Sequence, residues 1–215
     1  MYTPAHFKAD DVAAMHALLR RHPFALLATH HDGELYLTHL PFHLDPARGA
    51  QGTLEAHLAR ANPHCAALQA GAASTMVFKG PDAYVSPRWY GDPAKNVPTW
   101  NYVAVHAHGR PRVHEDAATS LAYIGRLTDE HEAYIEEPWS VQEAQVHVER
   151  SIPHILAFEI PIERLEGTFK LSQNHPAANR AGVIRGLRKS AVTAAPGILE
   201  LMDGLYEMDG SLRKS

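Results

Sequence analysis

The sequence predicts a mainly β fold with helices at its corners, an α+β protein in which the strands are antiparallel. Short runs with strand chemistry are bounded by turn residues, as at Asp32-Gly33 between the runs 24–29 and 34–39. Residues 100–114 alternate β-branched and polar side chains. Helical patterns are short and fill the gaps between groups of strands. Together these observations favour a small barrel over a parallel βαβ array.

A first helix is predicted after Asp10, whose side chain can cap it, and it must end before Pro23. Its apolar stripe comprises Val12, Met15, Leu18 and Leu19. The hairpin around Asp32-Gly33 follows. Pro41 then interrupts the ladder, which continues over 42–44 before a turn at 45–49.

The middle of the chain continues with strand patterns. Residues 53–57 form one predicted strand, followed by a short Ala-rich helix that ends near Gly71. A strand pair is expected next, with 74–79 and 83–85 on either side of a turn at Gly80-Pro81-Asp82. Gly109 and Pro111 indicate a bulge or bend in the long strand 100–114.

The last hundred residues are predicted to contain three helices and one strand. Asp116 can cap a helix that runs to about Thr128, and 141–150 form a second. Residues 155–160 indicate a buried final strand. Asn174 and Pro176 then open a C-terminal helix, because proline favours the first helical turn.

Composition bounds the class of protein. The 215 residues are 45% hydrophobic and carry a net charge of -4, which indicates a globular chain without the basic footprint of a compact DNA-binding domain. We expect a domain over 1–170 and a helical extension over 171–215 packed on it. The single Cys65 and the absence of a signal peptide or a long apolar run predict a cytoplasmic protein outside the membrane.

The most informative segments are 84–90 and 97–102, which combine aromatic rings with hydrogen-bond donors on proline-rich loops. Ser86, Trp89, Trp100 and Asn101 lie in them. Such a mixture suits a planar polar ligand, since the rings supply apolar contact and the polar groups fix orientation. An aromatic-rich turn or a subunit interface is the alternative.

Three further places have ligand chemistry, each with a plainer alternative. His39 ends the hairpin and can form the rim of a ligand site, or be an ordinary solvated or packed histidine. His57 and Arg60 lie where a strand leads into a helix, a suitable place for a phosphate, unless Arg60 only covers the helix surface. Lys170 and Gln173, with Ser172, can hold a phosphate or a ring edge, or else surround a helix cap at Asn174.

A basic run near the C-terminus can contact DNA phosphates, although a solvated helix face is the favoured interpretation. It contains Arg180, Arg185, Arg188 and Lys189. The histidine pairs 30–31 and 106–108 have no matching Cys or carboxylate spacing, so we expect no metal site. The sequence has neither a G-x-S-x-G elbow nor a P-loop, and Cys65 is predicted to be a small core residue.

These residues, read together, resemble the PaiB-like FMN-binding negative transcriptional regulators over essentially the whole chain. Six ordered motifs carry the resemblance: residues 1–7, 39–42, 57–63, 84–90, 97–102 and 169–174. The resemblance implies an FMN-binding split barrel, a six-stranded Greek-key barrel that forms a homodimer with flavin in clefts at the dimer interface. Members of the family are repressors of sporulation and degradative-enzyme genes, and the wider superfamily includes flavin reductases.

Site roles follow from motif position and chemistry. We expect Arg60 and Lys170 to hold the FMN phosphate, and Trp100 or Trp89 to pack against the ring. Hydrogen bonds are expected from His39, Ser86 and Asn101, and the predicted set is completed by His57 and Gln173. The predicted function is negative regulation of transcription by an FMN-binding homodimer, with DNA as a candidate partner. The alternatives are an NAD(P)H-dependent flavin reductase and, third, tetrapyrrole binding through a histidine.

Overall fold

The computed structural model describes residues 1–191 and 195–213, which form nine strands and six α-helices. The strands are β1 Lys8–Ala9, β2 Phe24–His31, β3 Glu34–Pro41, β4 His43–Asp45, β5 Thr53–Ala59, β6 Ser74–Val85, β7 Thr99–Gly109, β8 Arg112–His114 and β9 Ile155–Lys170. The helices are α1 Val12–Arg21, α2 His64–Gln69, α3 Ala117–Glu132, α4 Gln145–Ser151, α5 Ala177–Lys189 and α6 Ala195–Leu205.

The hydrogen-bonded strand order is β3-β2-β6-β7-β9-β5-β4, and β1 and β8 also pair with β9. The pairings β2 with β3, β5 with β9 and β8 with β9 are all antiparallel. Non-consecutive neighbours in this order mean that several connections cross over, as in Greek-key topologies.

The chain folds into two compact units, each built from separate stretches of sequence. Unit 1 comprises 1–10, 79–104 and 166–215, and unit 2 comprises 11–78 and 105–165. The core of unit 1 includes Val85, Val103, Leu171, Ile198 and Tyr206. The core of unit 2 includes Leu27, Leu54, Phe78, Leu156 and Phe158. The predicted division at residue 170 stays a prediction.

The hairpin is confirmed in detail. Phe24 pairs with Pro41 and His31 with Glu34, and the two turn residues Asp32 and Gly33 have φ of 50° and 82°. Positive φ at both central positions is the requirement of a type I′ turn, which Asp-Gly satisfies at low cost. The turn therefore sets the register of the two strands.

The first helix begins one residue later than predicted. Asp11, rather than Asp10, is the cap, and its Oδ1 accepts from the Ala13 N–H at 2.8 Å. Val12 is exposed, because it is the first helical residue and projects away from the buried stripe Met15, Leu18 and Leu19. Asp116 caps α3 as predicted, although this helix runs on to Glu132.

Two strand predictions were wrong. The expected pair around Gly80-Pro81-Asp82 is one continuous strand, β6, because the fixed φ of proline is compatible with extended backbone and α6 packs on this side of the strand in unit 1. A Cβ built on Gly197 of α6 would lie 2.7 Å from the Pro81 ring. The final strand is also longer than predicted, since β9 extends ten residues past Ile160 to Lys170.

Helix predictions near the C-terminus were partly correct. The predicted helix 141–150 is a 3₁₀ turn, Val141–Ala144, followed by α4. The helix predicted after Asn174 and Pro176 is α5, in which Pro176 occupies the capping position without a side-chain hydrogen bond. Within the described ranges, no helix is both long and apolar enough to span a bilayer.

Candidate functional site

Unit 1 contains a polar cavity of about 310 Å³. We call it the Lys170 cavity, and its principal lining residues are Phe7, Thr99, Asn101, Lys170, Ser172 and His175. Its side chains come from three stretches of sequence: the N-terminal segment, the start of β7 and the turn after β9. The ten residues that line it include two lysines and no acidic residue.

The walls follow from strand geometry. Thr99 and Asn101 lie two residues apart on β7, so both face the same side, whereas Trp100 between them faces away. Lys170 is the last residue of β9, which brings its ammonium group to the start of β7. Two of the predicted site residues, Asn101 and Lys170, therefore meet in this cavity.

The turn after β9 is held in an uncommon conformation. Ser172 has φ of 68°, a left-handed value that non-glycine residues rarely adopt. Its buried hydroxyl exchanges two hydrogen bonds of 3.1 Å with the amide of Asn101. The Gln173 Oε1 accepts from the Leu171 N–H at 2.7 Å, and the Tyr206 hydroxyl donates to the Leu171 carbonyl at 3.1 Å. Gln173 thus shapes this turn, which lines one wall of the cavity.

Lys170 lacks a negatively charged partner among the described residues. Its Nζ donates to the Thr99 hydroxyl at 2.7 Å and lies 5.6 Å from the centre of the Phe7 ring. Burial lowers the pKa of Lys170 from its usual value, because the folded state disfavours the charged form. An ammonium group surrounded by hydroxyls and an aromatic ring, without a carboxylate, is suited to bind an anion.

His175 adds a titratable group to the same cavity. Burial lowers its pKa, and the nearby Lys170 charge lowers it further. The imidazole stacks on the Tyr90 ring with centroids 4.7 Å apart and planes 18° apart. This stack fixes a flat aromatic surface beside the lysine. Sequence reasoning missed His175, although its position five residues after Lys170 was a usable signal.

The remaining predicted residues of unit 1 lie outside the cavity lining. Trp100 is exposed and packs edge-to-face on Tyr84, with centroids 6.0 Å apart. Ser86 caps a 3₁₀ turn, Pro87–Trp89, by accepting from the Arg88 N–H at 3.2 Å. Trp89 packs against α5. Their predicted contacts with a ligand stay predictions.

The other three predicted residues belong to unit 2. His39 is exposed and stacks on Phe24 across the hairpin, with centroids 6.2 Å apart. His57 is half-buried on β5, where burial lowers its pKa. Arg60 is paired with Glu115 at 2.7 Å, so its charge is already balanced. Each of these three side chains therefore has its own surroundings in unit 2, and no cavity found among the described residues is lined by all three.

Comparison with known proteins places the chain in a sequence family. A sequence model described as "Putative FMN-binding domain" matches residues 1–164. An uncharacterised protein of Emericella nidulans is 32% identical, with 97% of this chain and 98% of that protein covered. The "Protease synthase and sporulation protein PAI 2" of Bacillus subtilis is 28% identical, with 94% of this chain and 97% of that protein covered.

Among solved structures, a FAD and heme binding protein of Mycobacterium smegmatis superposes with a TM-score of 0.55 at 17% identity, over 76% of this chain and 73% of that one. This likeness confirms the predicted fold class, an α+β split barrel dominated by antiparallel strands. The resemblance to PaiB-like proteins is likewise confirmed, and FMN is the cofactor that it indicates. The chain belongs to the family described as "Putative FMN-binding domain".

Proposed function

We propose that this chain is a cytoplasmic, homodimeric negative transcriptional regulator that binds FMN, and that the flavin phosphate enters the Lys170 cavity. The observation that carries the flavin site is Lys170 itself, a partly buried ammonium group without a described carboxylate partner. A phosphate would supply the missing negative charge, and the Thr99 hydroxyl, which accepts from Lys170, is a suitable donor to its oxygens.

The size of the cavity suggests which part of FMN it takes. Its volume of about 310 Å³ is at the lower end of the range of ~300–1,000 Å³ for small-molecule sites. That space suits the phosphate and the ribityl chain. Val97 at the cavity lining is 76% exposed, so the opening leads to solvent. The isoalloxazine ring would lie beyond this opening, where a second protomer can complete its site.

The homodimer is supported by an unusual surface of unit 2. One face of the β2–β3 hairpin is buried, but the opposite face is also apolar, with Leu35 61% and Leu37 56% exposed and Phe24 on the same side. The outer face of an antiparallel hairpin is ordinarily polar. Contiguous exposed apolar side chains on an edge strand mark an interaction surface. We assign this face to a second copy of the chain.

The regulatory role is supported by the family resemblance and by the name of the Bacillus subtilis relative. Contact with DNA through α5 alone has little support. Arg180 donates to the carbonyls of His175 and Gly210, and Arg188 is paired with Asp203. Two of the four basic residues in this run therefore already have hydrogen-bond or ion-pair partners within unit 1. We propose that flavin acts on DNA binding by changing the dimer.

Flavin binding is tested by titrating purified protein with FMN and following flavin fluorescence. Lys170→Gln is expected to weaken binding about 10- to 100-fold, the range for a lost hydrogen bond to a charged group. Lys79→Gln is the matched control, since Lys79 is exposed in the same unit and paired with Asp82. Equal affinity of the two variants would rule out this cavity as the phosphate site.

Dimerisation and regulation need separate readouts. Light scattering should report a dimer that Leu37→Glu converts to a monomer, whereas Glu34→Gln on the same strand leaves the dimer intact.

A gel shift with the DNA upstream of the chain's own gene, at 100 mM salt, should detect a protein–DNA complex, and FMN should change its affinity about 10-fold or more. A complex that is insensitive to FMN, or no complex at all, contradicts the regulatory role.

A flavin-dependent reductase is the second candidate, and the exposed opening of the Lys170 cavity favours it. Val97, in the loop before β7, is 76% exposed at this opening, so apolar surface is available to a nicotinamide ring. Transient binding of a nicotinamide needs no dinucleotide-binding motif. Steady-state oxidation of NADH or NADPH with added FMN tests this candidate, and a rate no faster than that of free FMN eliminates it.

A further inference from the structure

Unit 1 has a second concavity, of about 590 Å³, that shares no lining residue with the Lys170 cavity. It lies between the segment 88–91 and α5. We call it the Trp89 groove, and its defining residues are Arg88, Trp89, Gly182, Arg185, Gly186 and Lys189. Nothing in the flavin proposal uses it.

Trp89 is fixed in this groove by two glycines. Gly182 and Gly186 are one helical turn apart on α5, and both face the tryptophan. A Cβ at Gly182 would lie 2.0 Å from the Trp89 carbonyl oxygen, and one at Gly186 would lie 2.2 Å from the indole ring. Any larger residue would displace the aromatic ring. The indole therefore rests directly on the helix backbone and has a defined position.

The segment 88–91, on the other side of the groove, is held in place as well. The Gly91 N–H donates to the Asn179 Oδ1 at 3.1 Å, which ties the loop after Trp89 to the first turn of α5. Ser86 caps the short 3₁₀ turn that carries Arg88 and Trp89. A groove with both sides held in place is largely formed before a ligand arrives, which reduces the entropic cost of binding.

Three cations line the same groove as Trp89. Arg88, Arg185 and Lys189 are exposed, and no acidic residue lines the groove. None of the three has an ion pair among the described residues, in contrast to Arg188 on the same helix, which binds both oxygens of Asp203 at 2.7 and 2.9 Å. An anion bound in the groove would be attracted by all three of these cations.

We propose that the Trp89 groove binds a phosphorylated nucleotide, with the base against Trp89 and the phosphates among Arg88, Arg185 and Lys189. The volume is within the range of small-ligand sites, ~300–1,000 Å³. Arginine pairs with phosphate in a bidentate manner, and the face of an indole suits a flat base. A duplex, in contrast, presents phosphates along an extended line and is bound by charges spread over a face. Three charges around one concavity fit one or two adjacent phosphates better.

The test uses ADP as the probe and the full chain saturated with FMN, so that the Lys170 cavity is occupied. Calorimetry in 100 mM NaCl is expected to give one ADP per chain. The groove variant Arg88→Gln, Arg185→Gln, Lys189→Gln should bind ADP at least tenfold more weakly. The matched control, Lys8→Gln, Arg20→Gln, Arg150→Gln, loses the same charge from exposed positions and should bind within twofold of the unmodified chain.

Further arms separate base from phosphate. Adenosine and inorganic pyrophosphate should each bind more weakly than ADP. ADP should quench tryptophan fluorescence, and Trp89→Phe should remove most of that quenching. Because a triple substitution can disturb folding, Arg185→Gln alone is measured too; it removes an exposed side chain and should still weaken ADP binding at least threefold.

Several results would overturn the proposal. One is an equal loss of affinity in the groove variant and the control variant, which would indicate only long-range charge. Another is ADP binding that Lys170→Gln abolishes and the groove variant retains, which would place the nucleotide in the Lys170 cavity. Binding of duplex DNA, but not ADP, by the groove would assign it to DNA.

If FMN binding itself is lost in the groove variant and kept in Lys170→Gln, both site assignments are wrong. Absence of ADP binding in every protein refutes the nucleotide site but leaves the flavin proposal intact.

Discussion

Charge is arranged differently in the two units. In unit 2 the buried carboxylates Glu55 and Glu159 each have cationic partners: Arg48 contacts both, and Arg126 contacts Glu55 at 2.8 Å. In unit 1 the partly buried Lys170 contacts a hydroxyl and an aromatic ring, and it has no carboxylate partner in the described part of the chain. A buried charge that stabilises a fold is paired within that fold. A desolvated charge without a partner indicates a binding site for a ligand of opposite charge.

The carboxylate network of unit 2 is connected further by Tyr123. Its hydroxyl donates to the Glu159 Oε2 at 2.7 Å, and burial together with that hydrogen bond raises the tyrosine pKa. Burial alone would raise the pKa of Glu159, but the hydrogen bonds from Tyr123 and Arg48 outweigh it, so this pKa is lowered. A carboxylate with a lowered pKa stabilises the fold above its unfolded pKa, and this contribution is lost as pH falls through the folded pKa.

The largest predicted effect breaks this network. Glu159→Gln removes the anion of Tyr123 and one of the two carboxylates paired with Arg48. It should reduce the free energy of unfolding by about 3 kcal/mol, the lower end for a broken buried ion pair, because Arg48 is partly exposed and keeps Glu55. Urea denaturation at pH 7 measures it. Glu163→Gln, at an exposed position of the same strand, is the control and should change stability by less than ~0.5 kcal/mol. If the two variants are equally stable, the network is not structural.

The next effect concerns the floor of the Lys170 cavity. Asn101→Ala removes both hydrogen bonds to the buried Ser172 hydroxyl, whose backbone is already in a left-handed conformation. We expect a loss of about 2 kcal/mol, the cost of an unsatisfied buried polar group. Denaturation measures it, with Asn96→Ala at the exposed rim as the control. A loss no greater than in the control would mean that the turn holds its shape without Asn101.

Local sequence patterns predicted part of the fold and some residues of the candidate site. Asp32-Gly33 determined the hairpin. The mixture of aromatic rings and hydrogen-bond donors in 97–102 selected Asn101 as a candidate site residue, and the segment after the final strand selected Lys170. Contacts distant in sequence were not predictable in the same way. That Trp89 lies on α5 depends on Gly182 and Gly186, which have no local signature. Arg60 looked available for phosphate because the Glu115 that neutralises it comes much later in the chain.

A smaller effect, of opposite sign, distinguishes Lys170 from the network. Lys170→Met removes a cation whose charged form the fold disfavours, so without FMN the stability should be unchanged or higher, by at most about 1 kcal/mol. The methionine retains the contact with the Phe7 ring. Urea denaturation without and with saturating FMN measures both states, and only the flavin-dependent stabilisation should decrease. A loss above ~1 kcal/mol in the flavin-free protein would make Lys170 a structural residue.

The smallest effect is a pH dependence of flavin binding. Burial and the Lys170 charge lower the pKa of His175, so the free protein holds this ring neutral at pH 7. A phosphate in the cavity would raise that pKa by attraction, and binding would then take up protons. Affinity for FMN should therefore rise as pH falls from 8 to 6.5, by roughly threefold in addition to any change in the phosphate itself.

His175→Asn isolates this contribution, since it removes the titrating ring while other groups titrate as before. Calorimetry in two buffers of different ionisation enthalpy should detect proton uptake by the unmodified chain, and less uptake by the variant. The range stops at pH 6.5 because a phosphate monoester begins to protonate near pH 6 and loses charge. If uptake is the same in both proteins, His175 does not sense the ligand, and the phosphate lies away from the stacked face that His175 and Tyr90 present.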